Sequence, residues 1–259
     1  CHSLVGSEMC IRDRYNYLIK IEYDGSGYVG WQYQKNGKSI QEKIEKALKK
    51  ILKENIRIIG AGRTDKGVHA SGQFANFKSI KKIDNKKKFL SSINFFLRKS
   101  SISIVDIKKK KKDFHARFSA KERVYTYYIV NRLASLTLDK NKAWHVRRKI
   151  NLELLKKGGK TLVGTHDFST FRASTCTAKS AIKKMNSIVI KKSQNKIILT
   201  FKSKSFLQNQ VRSMVGCLEK LSSSEWSLKK FKEVLKSKKR TNCAPPAPAH
   251  GLYLKNVRY

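Results

Sequence analysis

The stretch Gly62-Arg63-Thr64-Asp65-Lys66-Gly67-Val68-His69-Ala70 decides how the rest of the chain is read. It lies between two apolar runs, Ile56–Ile59 and Val68–Phe77, and so reads as a connection between two strands. Gly60, Gly62, Gly67 and Gly72 allow backbone conformations that a Cβ disfavours. A single carboxylate, Asp65, stands at the tip beside Arg63, with His69 close by. A tight turn carrying a solvated Asp is the plain alternative. Such a turn needs neither a flanking arginine nor a histidine.

Working outward, the periodicities give a β-α-β-β-α-β order. Tyr17, Ile19, Ile21 and Tyr23 alternate with Asn16, Lys20 and Glu22, the pattern of a half-buried strand. Asp24-Gly25-Ser26-Gly27 turns the chain ahead of Trp31. Ser39-Ile40-Gln41-Glu42 is a capping box. Behind it, Ile40, Ile44, Ala47, Leu48, Ile51 and Leu52 form one apolar stripe at helical spacing. Strands over 56–60 and 68–77 flank the Asp65 loop. A second helix follows Asp84 through Phe89, Leu90, Ile93 and Leu97, and Ile102 and Ile104 mark a closing strand. This is the split ferredoxin-like order, with the Asp65 loop as its central β–β connection. The run Lys108–Lys112 reads as a solvated linker.

The second half repeats that order without repeating the sequence. Val124, Tyr125, Tyr127 and Ile129 belong to a strand, and Leu152, Leu155 and Leu162 to a helix after Asn151. Ile182–Ile190 and Ile197–Phe201 pair around Ser193-Gln194-Asn195. A helix from near Phe206 carries Val211, Met214, Val215, Leu218 and Leu221. Another near Leu228–Leu235 precedes a terminal strand, Leu252–Val257. The expected fold is α+β: two ferredoxin-like halves, 15–112 and 113–259, with mostly antiparallel sheets flanking a basic cleft. Residues 1–14, CHSLVGSEMCIRDR, do not continue the pattern and are read as a tail outside the fold.

The charge balance narrows the partners. Fifty-eight Lys and Arg against 18 Asp and Glu give +40, a field that attracts polyanions. Nucleic acid is the leading partner and an anionic membrane surface the runner-up. A general preference for surface lysine explains much of the excess equally well, so the few arginines are the more informative cations. The five cysteines, Cys1, Cys10, Cys176, Cys217 and Cys243, have no paired spacing, which argues against a metal site and suits a reducing cytoplasm. No apolar run is long enough for a membrane span.

GRTDKGVHA resembles the catalytic signature of the TruA-type tRNA pseudouridine synthases, matching eight of nine letters of GRTDxGVHA. The resemblance covers about residues 15–259. It includes YDGSGYVGWQ at 23–32, FHARF at 114–118, Arg123-Val124-Tyr125-Thr126-Tyr127, Gly164-Thr165-His166-Asp167-Phe168, the block from Phe206 to Gly216, and APAHGL at 247–252. It departs at Gln208-Asn209-Gln210, where the family often has His and Met.

The resemblance implies a cofactor-independent, cytoplasmic isomerase. Its substrate is uridine at tRNA anticodon-arm positions 38, 39 and 40, and it works as a homodimer with tRNA spanning both subunits. It implies Asp65 as the catalytic carboxylate, Tyr125 stacked on the target base, and Arg212 in an ion pair with Asp65. Arg63 would help flip the nucleotide, and Arg123, His69 and Arg172 would contact substrate. His166 beside Asp167 reads as structural, at a helix end. Two rivals stand beside this reading: a non-catalytic RNA-binding module and a structural ribosome-associated protein. Neither uses a lone acid in an Arg/Gly loop.

Overall fold

The computed structural model describes residues 14–259, so the tail expected over 1–14 lies outside the described residues except for Arg14. Two compact units divide the chain. One runs to Ala120 and takes in Tyr259; the other is Lys121–Arg258.

Unit 1 follows the order β1 (Tyr15–Tyr23), α1 (Ile40–Leu52), β2 (Ile59–Gly60), β3 (His69–Ser79), α2 (Lys86–Leu97) and β4 (Ile102–Lys110). Strand β1 lies between β3 and β4 and is antiparallel to both, with Ile19 opposite Ala75 on one side and Ile107 on the other. The two-residue β2 pairs with β3. The alternation in β1 predicts one buried face, yet Asn16 and Leu18 are buried as well as Tyr17, Ile19 and Ile21. Asn16 tolerates this because its side-chain amide donates to the carbonyls of Lys111 and Phe114.

Local chemistry sets the helix ends. Ser39 Oγ accepts the Glu42 N–H at 3.2 Å, and Lys53 in the left-handed region closes α1. Asn85, rather than Asp84, caps α2 by accepting the Lys88 N–H. Strand β2 is shorter than the expected 56–60 because Glu45 Oε1 takes the Ile58 N–H at 3.0 Å. The lysine run is not a linker through its first half: Lys108, Lys109 and Lys110 continue β4 against Leu18, Tyr17 and Asn16. Nor does the first half end at Lys112. A buried Asn16–Asn76 pair holds the segment that follows, with Asn76 Oδ1 accepting the Ala116 N–H at 2.8 Å. Tyr259 packs edge-on against Phe74, and its hydroxyl donates to the Ala116 carbonyl.

Unit 2 comprises β5 (Glu122–Asn131), β6 (Trp144–Val146), α3 (Leu152–Thr161), β7 (Gly164–Asp167), β8 (Ile182–Ser193), β9 (Lys196–Ser203), α4 (Gln210–Ser222), α5 (Leu228–Ser237) and β10 (Leu252–Arg258). The strand order β10-β5-β9-β8-β7 is antiparallel throughout, and β6 adds to β5 in parallel. Strands β6 and β7 are absent from the sequence reading; at three and four residues they are too short to show alternation. Helix α4 begins at Gln210 instead of near Phe206, because Asn209 sits at φ +61°, where a right-handed helix cannot propagate. The helix is buried along most of its length and packs backbone to backbone on the proline segment. A Cβ on Gly216 would stand 2.2 Å from the Pro245 carbonyl oxygen. Both units mix α and β, with mostly antiparallel strands. Among the described residues, no helix is long and apolar enough to cross a membrane.

Candidate active site

In unit 1, the loop from Gly62 to Val68 is fixed through its backbone by the chain segment 23–31. Thr64 is held at both ends: Tyr23 Oη lies 2.8 Å from its Oγ1, and the Trp31 N–H donates to its carbonyl at 3.0 Å. All three residues are buried. Gln73 Nε2 donates to the Gly62 carbonyl at 2.8 Å, and the Ala61 N–H donates to Phe74 at 2.7 Å. Inside the loop, the Val68 N–H returns to the Asp65 carbonyl, closing a turn in which Gly67 takes φ +76°.

Two glycines of the 23–31 segment make the fit. Gly25 lies so close that an added Cβ would stand 2.1 Å from the Val68 oxygen. Gly30, at φ +121°, would place a Cβ 2.7 Å from the Thr64 oxygen. Asp65 is half-buried and Arg63 and Lys66 are exposed, so the loop presents one acid between two cations from a hydrogen-bonded frame. His69, expected among the substrate contacts, is 2% exposed. Its Nδ1 stands 3.1 Å from both the Gly25 nitrogen and Asp24 Oδ1, facing the 24–25 turn.

In unit 2, Tyr125 and Tyr127 project from one face of β5, as alternation predicts. Tyr125 is largely buried, its ring edge-on to Phe206 at 5.0 Å. Tyr127 is fully buried and donates its hydroxyl to the Pro248 carbonyl at 2.7 Å. Burial pushes its phenol well above the ordinary value of 10.0, and the Arg212 charge opposes that weakly.

Arg212 lies in the first turn of α4. Its Nε donates to the Ala247 carbonyl at 2.7 Å and its Nη1 to Asn209 Oδ1 at 3.2 Å, while the Arg212 carbonyl accepts the Ala247 N–H. The APAHGL segment is thus clasped to the helix start by this one residue, through its guanidinium and its carbonyl. Asn209 belongs to the departure from the family pattern, yet it supplies a partner to Arg212.

The other arginines have backbone duties. Arg123 is buried and donates to the Lys204 carbonyl, and Arg172 donates to that of Cys176. His166 and Asp167 end β7, directly ahead of the short 3-10 helix Ser169–Phe171, the structural position expected for them. Asp167 accepts from the Ser169 N–H and hydroxyl, and the Ser169 hydroxyl is the main cause of its carboxyl lying below its usual range. Cys217 and Cys243, without paired spacing in sequence, have sulfurs 3.4 Å apart.

What the sequence reading missed is the scaffold: Tyr23, Gly25, Gly30, Trp31 and Gln73. The signal available was the glycine density of YDGSGYVGW together with its buried-type aromatics.

A profile of the tRNA pseudouridine synthase family matches residues 19–119 and 159–259. The chain is 55% identical over 245 residues to tRNA pseudouridine synthase A of Pelagibacter ubique, covering 95% of this chain and all of that protein. It is 41% identical to the enzymes of the same name from Maricaulis maris and Thermoanaerobacter, covering 94% of this chain in each case and 97% and 99% of those proteins. The chain belongs to the tRNA pseudouridine synthases, a family of isomerases.

Proposed function

We propose that this chain converts uridine to pseudouridine at positions 38, 39 and 40 of the tRNA anticodon arm, with Asp65 as the catalytic carboxylate and no cofactor. The observation that carries the reading is the frame around Asp65. The neighbouring Thr64 is held by its hydroxyl and its carbonyl, which places the half-buried acid on a loop tied to the strand and turn beside it. In the reaction the N1–C1′ bond breaks, the base turns, and a C5–C1′ bond forms. The proton leaving C5 is balanced by one gained at N1, so no oxidant, reductant or group donor enters. A carboxylate serves such a reaction as nucleophile at sugar or base, or as the base that removes a ribose proton.

Tyr125 stacks on the extruded base, and Arg63 assists its exit from the stem. Arg212 is the cation that keeps the catalytic carboxylate ionised. His69, Arg123 and Arg172, each engaged with backbone, act by positioning their segments. The β-α-β-β-α-β order of unit 1 supports a ferredoxin-like half around Asp65, and a net charge of +40 supports tRNA binding through phosphate and shape. The homodimer and cytoplasmic location belong to the same reading.

Mapping pseudouridine by carbodiimide-stop sequencing, after incubation with unmodified tRNA, tests it. New stops at 38–40 are expected, and none with Asp65→Asn. Product formed by that variant at the wild-type rate removes Asp65 from the mechanism.

A further inference from the structure

The block Phe114-His115-Ala116-Arg117-Phe118 has no part in the function proposed above. It is nevertheless an exposed turn with a rigid base. Asn16 Nδ2 donates to the Phe114 carbonyl at 2.8 Å, and Asn76 Oδ1 accepts the Ala116 N–H at 2.8 Å. Both asparagines are 1% exposed. Tyr259 closes the turn from another side, its ring 5.0 Å from Phe114 and its hydroxyl 3.0 Å from the Ala116 oxygen. Within the turn, His115 Nδ1 faces the N–H groups of Arg117 and Phe118 at 3.2 and 3.3 Å, which fixes the imidazole plane.

On this base stands an open aromatic. Phe118 is 73% exposed, more than any other aromatic residue among those described. Its ring lies 4.3 Å from that of His115, inclined at 34°, and the Arg117 guanidinium sits 5.5 Å from its centre. An exposed phenylalanine on a loose loop needs no explanation. One on a turn pinned by buried side-chain amides forgoes the burial that the rigidity would have allowed.

We propose that Phe118, with His115 and Arg117, is a stacking platform for an unpaired base of the RNA substrate, apart from the target uridine. This rests on the tRNA reading above. A π-face beside a guanidinium fits a ligand that is both aromatic and anionic, namely a nucleotide. The run Lys108–Lys112 immediately ahead, with Lys110 over the Phe114 ring, supplies further positive charge for the flanking phosphates. A second copy of this chain is the poorer occupant, because an isologous contact would set these cations against their own equivalents.

The test compares wild type with Phe118→Ala, Phe118→Trp and Arg117→Ala in tRNA binding and steady-state kinetics. Phe118→Ala should raise Kd and KM about ten-fold or more with kcat little changed. Phe118→Trp should restore both, and its added emission should be quenched by tRNA. Arg117→Ala should lower the slope of log K against log salt by about one.

Wild-type Kd and KM in a Phe118→Ala protein of unchanged melting temperature overturn the platform and leave pseudouridine formation standing. A change in oligomeric state in Phe118→Ala, with tRNA affinity per assembled enzyme preserved, overturns it in favour of a contact between copies. Absence of product and of tRNA binding in the wild type overturns both readings together.

Discussion

Asp65 and Arg212 are both charged side chains at fixed points, and the two regions fix them by opposite means. The loop around Asp65 is held mainly through main-chain atoms: beside the Tyr23–Thr64 hydroxyl pair, its carbonyls receive donors from Trp31 and Gln73, and glycines let segment 23–31 approach within contact distance. At the start of α4 the guanidinium itself is the fastener, spanning Ala247 and Asn209. The loop should therefore fail when atoms are added nearby, and the helix start when donor atoms are removed.

The largest effect expected lies at the acid. Asp65→Asn keeps the loop's main-chain bonds, so melting temperature and tRNA affinity should stay at wild-type values. Single-turnover pseudouridine formation should fall by about 10³-fold or more. Adding atoms comes next. Gly25→Ala and Gly30→Ala should each cost about 2–4 kcal/mol, since the obstructing atoms are backbone oxygens, and Gly30 also needs φ +121°. Gly27→Ala is the control: nothing lies within 4 Å of its added Cβ, and the unfolding free energy from denaturant titration should move by less than about 0.5 kcal/mol. Equal losses at all three positions would end the contrast.

Removing donors is milder for stability. Arg212→Lys keeps the charge and loses the planar fork that reaches two acceptors. Activity should fall about ten- to a hundred-fold, with stability changed by about 1–2 kcal/mol. A pH–rate profile should show whether retained charge alone keeps the acid ionised; a rate equal to wild type would show that the fork is dispensable.

The smallest effect concerns Tyr127. Its phenol titrates higher in the folded chain than in the unfolded one because of burial. The stability this represents is complete below about pH 10, the unfolded value. It is lost as pH rises toward the folded value, because only the unfolded state then ionises. Tyr127→Phe should cost about 1 kcal/mol at neutral pH through the bond to Pro248. It should also flatten the alkaline limb of a denaturation–pH curve. An unchanged limb would assign alkaline lability elsewhere.

These contrasts show what sequence can carry. The stripe of α1 and the caps at Ser39 and Asn151 are local, and each is found where the periodicity puts it, whereas β5 is buried on both faces. The acid at Asp65 stood out because its loop has a family signature. Its supports did not, because they join residues 41 apart in the chain, as Tyr23 and Thr64 do, and no spacing rule reports such a pair. Strand β2 lost residues to Glu45, a side chain thirteen positions away from Ile58. Lys108–Lys110 carry linker composition but have strand partners, because charged side chains on a sheet's margin cost nothing while they remain in water.

Tyr259 has a consequence for the order in which the protein is made. It belongs to unit 1, where it covers Phe74 and Phe114, yet every residue of unit 2 precedes it. On the ribosome, the unit bearing Asp65 emerges first and is sealed last. Through the synthesis of some 138 intervening residues, Lys121 to Arg258, its Phe74–Phe114 face lacks its lid. A nascent chain stalled anywhere in that interval leaves Phe74 and Phe114 without the Tyr259 ring, and synthesis of Tyr259 supplies it.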